Sequence, residues 1–290
     1  MAAVQDPDEA WMARAVALAE GGRGRVSPNP MVGAVLVRDG RVVGEGFHRA
    51  AGQPHAEAMA LAAAGAAAAG ATCYVTLEPC AHHGRTPPCA DALVAAGVVR
   101  VVAAGPDPDP RVDGAGAARL RAGGVAVRIG AGAEAAADQN AAYLTHRRLG
   151  RPRITLKAAA SLDGKVAAPD GTSQWITGPA ARADAHRLRA EADAVAVGAG
   201  TALADDPRLT VRLPGWAGRQ PLRVLVDAAG RVGAGGHLFD DEAETLVATT
   251  PAAPATAVDA WQAAGAEVLL CKEAPAGVDL DDLARALGAR

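Results

Sequence analysis

The chain has 290 residues, 50% of them hydrophobic, 21% charged and 3% aromatic, with a formal net charge of -3. That length is comfortable for two domains, and the weakly acidic balance argues against nucleic acid as a partner, which calls for a basic stripe. No apolar stretch reaches membrane-spanning length without a polar interruption, and the opening MAAVQDPDEAW lacks the basic-then-apolar pattern of a signal peptide. The chain is therefore read as cytoplasmic, with no membrane partner. In that compartment its four cysteines, Cys73, Cys80, Cys89 and Cys271, point to metal or packed thiols before disulfides. The abundance of Ala is read as compositional and carries no functional weight.

Asp8 to Glu20 has apolar residues at helical spacing and stops at Gly21-Gly22. Val32–Val37 and Val42–Phe47 read as a hairpin joined by Asp39-Gly40. A helix from His55 to Ala69 and a strand at Thr72–Leu77 follow. After a Pro-rich loop, a helix is predicted at Cys89–Ala96, then strand Val98–Ala104, helix Gly114–Ala122 and strand Val125–Ile129. This order argues a three-layer α/β fold. One further helix, Ala133–Leu149, ends at Gly150-Arg151-Pro152, the expected domain boundary, which gives domains 1–150 and 151–290. The second half predicts strands at Arg153–Ala160 and Lys165–Ala168, helix Pro179–Glu191 and strand Ala194–Gly198. Strands at Leu222–Val226, Glu244–Ala248 and Glu267–Cys271 precede a closing helix, Val278 to Arg290.

The chemistry concentrates in Pro54-His55-Ala56-Glu57 and in Pro79-Cys80 with Cys89. One imidazole and two thiolates give zinc three ligands and leave a fourth position for water, whose pKa falls to about 7. Glu57, two residues after His55, reaches such a water without being a ligand and can move its proton. This is the zinc-deaminase arrangement, H-x-E with P-C-x-x-C, except that eight residues separate the two cysteines here. His55 and Glu57 alone also fit a capped helix start, and the cysteines alone fit buried thiols or a structural zinc pair. Cys73 and Cys271 lie in apolar strands and read as packed thiols. His48, His82 and His83 are left without a role.

The stretch His82-His83-Gly84-Arg85-Thr86-Pro87-Pro88-Cys89 and the segment Asn29-Pro30-Met31-Val32-Gly33-Ala34 resemble the deaminase half of the bifunctional riboflavin-pathway deaminase–reductases. Lys157 to Lys165, Ser173-Gln174-Trp175-Ile176-Thr177 and Gly198 to Arg212 resemble the reductase half of the same family. The resemblance implies a cytidine-deaminase-like three-layer domain followed by a dihydrofolate-reductase-like α/β domain. It implies zinc-dependent deamination of diaminohydroxyphosphoribosylaminopyrimidine, then NADPH-dependent reduction of the ribosyl group. It places Asn29 at the deaminase pocket. It puts Ala159, Trp175, Thr201 and Asp205 on the NADPH side, and Ser173, Arg189, Leu209 and Arg212 on the substrate side. Two arginines suit a phosphate. The partner is then a small phosphorylated pyrimidine, and a homo-oligomer fits the family.

The sequence ends at Arg290 without the family's glycine-rich E-G-G-x-x-L segment. About 60 to 80 further residues are expected from typical domain size. If Arg290 is the natural end, weak NADPH binding, little reductase activity and an exposed apolar sheet edge are the corresponding expectations. Two other classes stay open on the residues alone: a deaminase of another nucleobase or of tRNA, and a zinc module without catalysis.

Overall fold

The computed structural model describes residues 6–82 and 87–290 and divides into two units, Met1–Arg153 and Ile154–Arg290. In the first, Asp6 caps helix α1 (Pro7–Ala19): its carboxylate accepts the Asp8 N–H at 3.0 Å, and Pro7 takes the first helical position. Strands β1 (Gly33–Arg38) and β2 (Arg41–Phe47) form the hairpin. Asp39 and Gly40 both have positive φ, 51° and 70°, as a two-residue hairpin turn requires. Then come α2 (Ala56–Ala64), β3 (Thr72–Val75), α3 (Cys89–Ala95), β4 (Arg100–Ala103), α4 (Ala115–Ala122) and β5 (Ala126–Ile129). The sheet order is β2-β1-β3-β4-β5, with β1 antiparallel to both neighbours and β3, β4 and β5 parallel.

Alternation along these strands builds two cores. Leu36, Cys73, Val75 and Val101 face one side with Leu93 and Leu120 of α3 and α4. Val35, Tyr74 and Val102 face the other with Met12 of α1. Helix α2 lies unusually close to β2. A Cβ on Gly44 would stand 2.3 Å from the Ala60 carbonyl oxygen, and one on Gly46 2.6 Å from that of Ala56. Gly44 and Gly46 share one face of the strand, and Ala56, Ala60 and Ala64 share one face of the helix. The Ala-rich stretch is thus a packing surface, not only a compositional bias.

The single helix expected at Ala133–Leu149 is two helices, α5 (Ala133–Gln139) and α6 (Ala141–Leu149). The break falls at Asn140, a buried residue with φ -101° and ψ 17°. Its side chain accepts from Met31 N and donates to Met31 O, both at 2.8 Å. This tertiary contact interrupts a helix that propensity alone would continue.

The second unit holds α7 (Pro179–Glu191), β6 (Ala194–Gly198), α8 (Ala199–Asp205), β7 (Leu222–Val226), β8 (Thr245–Thr249), α9 (Ala255–Ala263), β9 (Glu267–Leu270), the short pair β10 (Glu273–Ala274) and β11 (Gly277–Val278), and α10 (Leu280–Gly288). Strands β6, β7, β8 and β9 form one parallel sheet in that order. Leu225, Val247 and the fully buried Trp261 pack on one face, and Val224, Leu246 and Leu283 on the other. Arg223 is buried at the base of β7. It donates to Thr245 Oγ1 (2.9 Å), His237 O, Asp240 Oδ1 and Asp240 O (each 2.6 Å), and Ala243 O.

The strands expected at Arg153–Ala160 and Lys165–Ala168 are not formed. Residues 152–161 carry no regular secondary structure, and the contacts after them are local turns, Ser161 N to Lys165 O and Ala168 N to Thr172 O, both short-range. No ladder partner faces this segment among the described residues, and its pattern alone does not make a strand. Its apolar side chains stay exposed, Leu156 at 92%. Strand β6 likewise has a neighbour on one side only among the described residues.

Candidate metal centre and active site

His55 is the residue before the first turn of α2, with extended backbone (φ -69°, ψ 162°), and Glu57 lies in that first turn. Cys80 follows Pro79 in the loop after β3, and Cys89 opens α3. The two loops bring the three side chains together. Nδ1 of His55 is 3.7 Å from Cys80 Sγ and 3.3 Å from Cys89 Sγ, and all three ligand atoms lie within 4.8 Å of one another. Zn–S and Zn–N bonds of about 2.3 and 2.05 Å at tetrahedral angles require N···S edges of about 3.6 Å. The two observed edges bracket that value, so the donor set and its spacing fit zinc.

The protonation pattern agrees. The Cys80 thiol is pulled down to about 4, first by the hydrogen bond from Cys89 and also by His55. The Cys89 backbone N–H also points at Cys80 Sγ, 3.3 Å away. The Cys89 thiol is pushed up because it donates to Cys80. These contacts favour the Cys80 thiolate, the form a metal takes. His55 is raised, chiefly by its contact with Cys80. Glu57 is 4% exposed, and burial raises its carboxyl to about 6, where a group can both take and give a proton near neutrality. Cys73, packed in the core, is raised by burial, as fits an inert thiol.

Asn29, His48, His55, Glu57, Cys80 and His82 line one cleft, together with Glu78, Asp107, Asp109, Arg111, Tyr143 and Arg147. His48 Nδ1 lies 3.1 Å from the Pro54 carbonyl, which can only accept. The ring is therefore protonated at Nδ1, and Nε2 accepts from Asn29 Nδ2 at 3.1 Å. Burial holds His48 below its ordinary pKa, in keeping with a neutral ring. It packs edge-on against His55, with centroids 5.6 Å apart. His82 has a buried Nδ1 without a hydrogen-bond partner among the described residues. His83 lies outside the described residues.

Three features of the cleft were not readable from the motifs. Glu78, in the Leu77-Glu78-Pro79-Cys80 run, is 4% exposed and acts as an anchor. Its carboxylate accepts from Ala117 N (2.9 Å) and Gly114 N (3.1 Å), tying the first turn of α4 to the Cys80 loop. Asp107 accepts the Tyr143 hydroxyl at 2.8 Å. Arg147 is the third feature. Only the i,i+4 spacing of Tyr143 and Arg147 hinted at a joint role.

In the second unit, Arg189 and Arg212 both donate to Thr210 O, at 3.0 and 3.3 Å. Burial, and the second cation, hold Arg189 below its ordinary pKa. Leu209 between them is buried with φ 54°. Ser173 is half-buried on irregular backbone. Ala159 and Trp175 lie on the same irregular segment, where Arg182 covers the Trp175 ring at 4.4 Å. Thr201 and Asp205 are exposed on α8. These four share no hydrogen bond or ion pair with one another among the described residues.

Residues 5–105 match the family described as the cytidine and deoxycytidylate deaminase zinc-binding region, and residues 152–290 match the RibD C-terminal domain. The riboflavin biosynthesis protein RibD of Escherichia coli is 50% identical over 254 residues, 84% of this chain and 69% of the relative. That of Chlamydia pneumoniae is 45% identical over 93% of this chain and 72% of the relative. The structure of Acinetobacter baumannii RibD superposes with a TM-score of 0.85 at 43% identity, covering 97% of this chain and 77% of that one. A Thermotoga maritima diaminohydroxyphosphoribosylaminopyrimidine deaminase/5-amino-6-(5-phosphoribosylamino)uracil reductase also gives 0.85, at 39% identity, covering 98% and 78%. A zinc-binding deaminase region followed by a RibD C-terminal reductase domain, at this level of identity, makes the chain a member of the RibD family of bifunctional riboflavin-biosynthesis deaminase–reductases.

Proposed function

We propose that the first unit hydrolytically deaminates diaminohydroxyphosphoribosylaminopyrimidine, with His55, Cys80 and Cys89 as zinc ligands and Glu57 as the proton carrier. The observation that carries this reading is the juxtaposition of a tetrahedral-spaced His/Cys/Cys set with a buried carboxyl in one cleft. A zinc ion held there supplies Lewis acidity and a water acidic enough to ionise near pH 7. Glu57 would carry two protons in turn: one from the attacking water to the ring nitrogen, and then the one left on the hydroxyl added to the ring carbon, to the departing amine. The ring carbon gains an oxygen as its bond to the amine breaks, and ammonia leaves. Asn29 is held by His48. Its amide oxygen, unbonded among the described residues, is free to accept from the ring's amino group.

The same reading assigns the second unit to the next step, in which the family's reductase domain uses NADPH. Ala159, Trp175, Thr201 and Asp205 remain our cofactor-side candidates. Ser173, Arg189, Leu209 and Arg212 are the substrate-side ones. The paired arginines, which share a carbonyl acceptor, suit a phosphate. Thiol ligands need a reducing compartment, so a cytoplasmic setting follows. The partner is the small phosphorylated pyrimidine, and homo-oligomers are compatible with the fold.

The test is zinc content and ammonia release for wild type and Glu57→Gln with the pyrimidine phosphate. The expected result is about one zinc per chain in both proteins and a 10²- to 10⁴-fold lower rate in the variant. Equal rates would remove Glu57 from the reaction. Zinc without ammonia from either protein would mean a different substrate, with tRNA and free nucleosides tried next.

A further inference from the structure

We infer that Arg147 forms an anion subsite of the deaminase cleft, suited to a phosphate monoester and held in place through Tyr143 and Asp107. The inference rests on the function proposed above and adds the residue that recognises the charged end of the substrate.

Tyr143 and Arg147 lie one turn apart on α6. The Tyr143 hydroxyl is fixed by Asp107 at 2.8 Å, and the Arg147 guanidinium carbon lies 5.3 Å from the Tyr143 ring centroid. A ring pinned at its hydroxyl gives the cation a fixed surface. The guanidinium itself is under-used. Its Nε is buried and has no hydrogen-bond acceptor among the described residues. The carboxylate beside it, Asp109 Oδ2, is 3.6 Å away, beyond hydrogen-bond range. Asp109 is already engaged by Arg111, through Nε at 2.9 Å, Nη2 at 2.6 Å and the backbone N–H at 3.0 Å. One carboxylate thus stands beside two guanidinium groups, hydrogen-bonded to Arg111 and only in a longer ion pair with Arg147.

Arg223 shows what a structural buried arginine looks like in this protein, because all three of its nitrogens find acceptors. Arg147 differs in having a buried donor left over, and it opens onto the cleft that holds His55, Glu57 and Asn29. Guanidinium donates only. It cannot pair with ring amines, which need an acceptor. It matches phosphate oxygens, with charge-assisted bonds. The anion could be the substrate's own ester or free inorganic phosphate.

The experiment compares wild type, Arg147→Met and Arg147→Lys, each checked for zinc content and circular dichroism. KM and kcat are measured on the pyrimidine phosphate and on the same compound after phosphatase treatment. The expected result for Arg147→Met is a KM raised about 10- to 100-fold for the phosphate, with kcat within about twofold. The shift for the dephosphorylated compound should be at least about tenfold smaller, and Arg147→Lys should recover part of the loss. An equal shift on both compounds, or none, overturns the subsite. Inorganic phosphate and ribose 5-phosphate as inhibitors separate the sources: stronger inhibition by the ester assigns the subsite to the substrate, and equal inhibition to any phosphate. If wild type releases no ammonia, the deaminase reading falls, and the subsite is judged by ribose 5-phosphate binding alone. Arg147→Met must then remove one component of that binding, and unchanged binding refutes it.

Discussion

Substituting Gly116 by Ala should disable the zinc site from a distance. Gly116 lies in the first turns of α4, and a Cβ there would stand 1.9 Å from the Pro79 carbonyl oxygen. An ordinary C···O approach is about 3.3 Å, so the two backbones must part by about 1.4 Å. In an unhindered helix the same change would stabilise by about 0.5–1 kcal/mol. Here the contact is backbone against backbone, with no side chain that can swing away, and overpacking of this kind costs about 1–3 kcal/mol. The clash therefore wins. Pro79 is bonded directly to Cys80, and Glu78 ties the same loop to α4, so the displacement reaches a ligand sulfur. A metal site tolerates about 0.2 Å in its bond lengths. If the strain falls on the zinc-bound form, Kd for zinc rises about 5- to 150-fold. Competition with a chromophoric chelator reads this directly. Gly105→Ala is the control, because a Cβ there meets nothing within 4 Å. Wild-type zinc affinity and wild-type Tm in Gly116→Ala would refute the reasoning.

Arg223→Leu should destabilise the second unit by about 3–5 kcal/mol, since it removes the nearest cation from Asp240 and the donor from three carbonyl oxygens; urea unfolding measures it. Asp8 is 2% exposed, binds Arg100 at 2.8 and 2.6 Å and accepts the Tyr74 hydroxyl at 3.0 Å. Its carboxyl is held below the ordinary value, chiefly by Arg100. A depressed carboxyl stabilises fully above its unfolded pKa of about 3.9, and that stability is lost as pH falls through the folded value. Asp8→Asn should therefore lower stability by about 1–3 kcal/mol at pH 7. The gap to wild type should close below pH 4, and a gap that stays constant down to pH 2.5 would refute the assignment.

Local signals carried much of the fold. Asp39-Gly40 marks its hairpin because both residues must take positive φ, a requirement written in two letters. The ligands His55, Cys80 and Cys89 were legible because zinc restricts which side chains can sit together. Partners distant in sequence were not legible. Glu78 looks like part of a cysteine motif until its bonds to residues 36 and 39 positions later are seen. Asn140 breaks a helix through Met31, 109 positions away. Arg153–Ala160 has strand-forming residues, but a strand exists only with a neighbour to pair with, and the segment has none among the described residues.

The closest approaches between α2 and β2 set Gly44 and Gly46 against Ala56, Ala60, Ala64 and the Cβ of Met59, and the glycines and alanines among them have no side-chain torsion to freeze. Bringing them together costs no rotamer entropy, and the contact has no alternative packing into which it can relax. His55 and Glu57 ride on the end of that helix, so their backbone positions follow this close main-chain packing. Such a hinge-free mount has little capacity to absorb error: a single methyl added at Gly44 or Gly46 has nowhere to go except into the position of the ligand and its proton carrier.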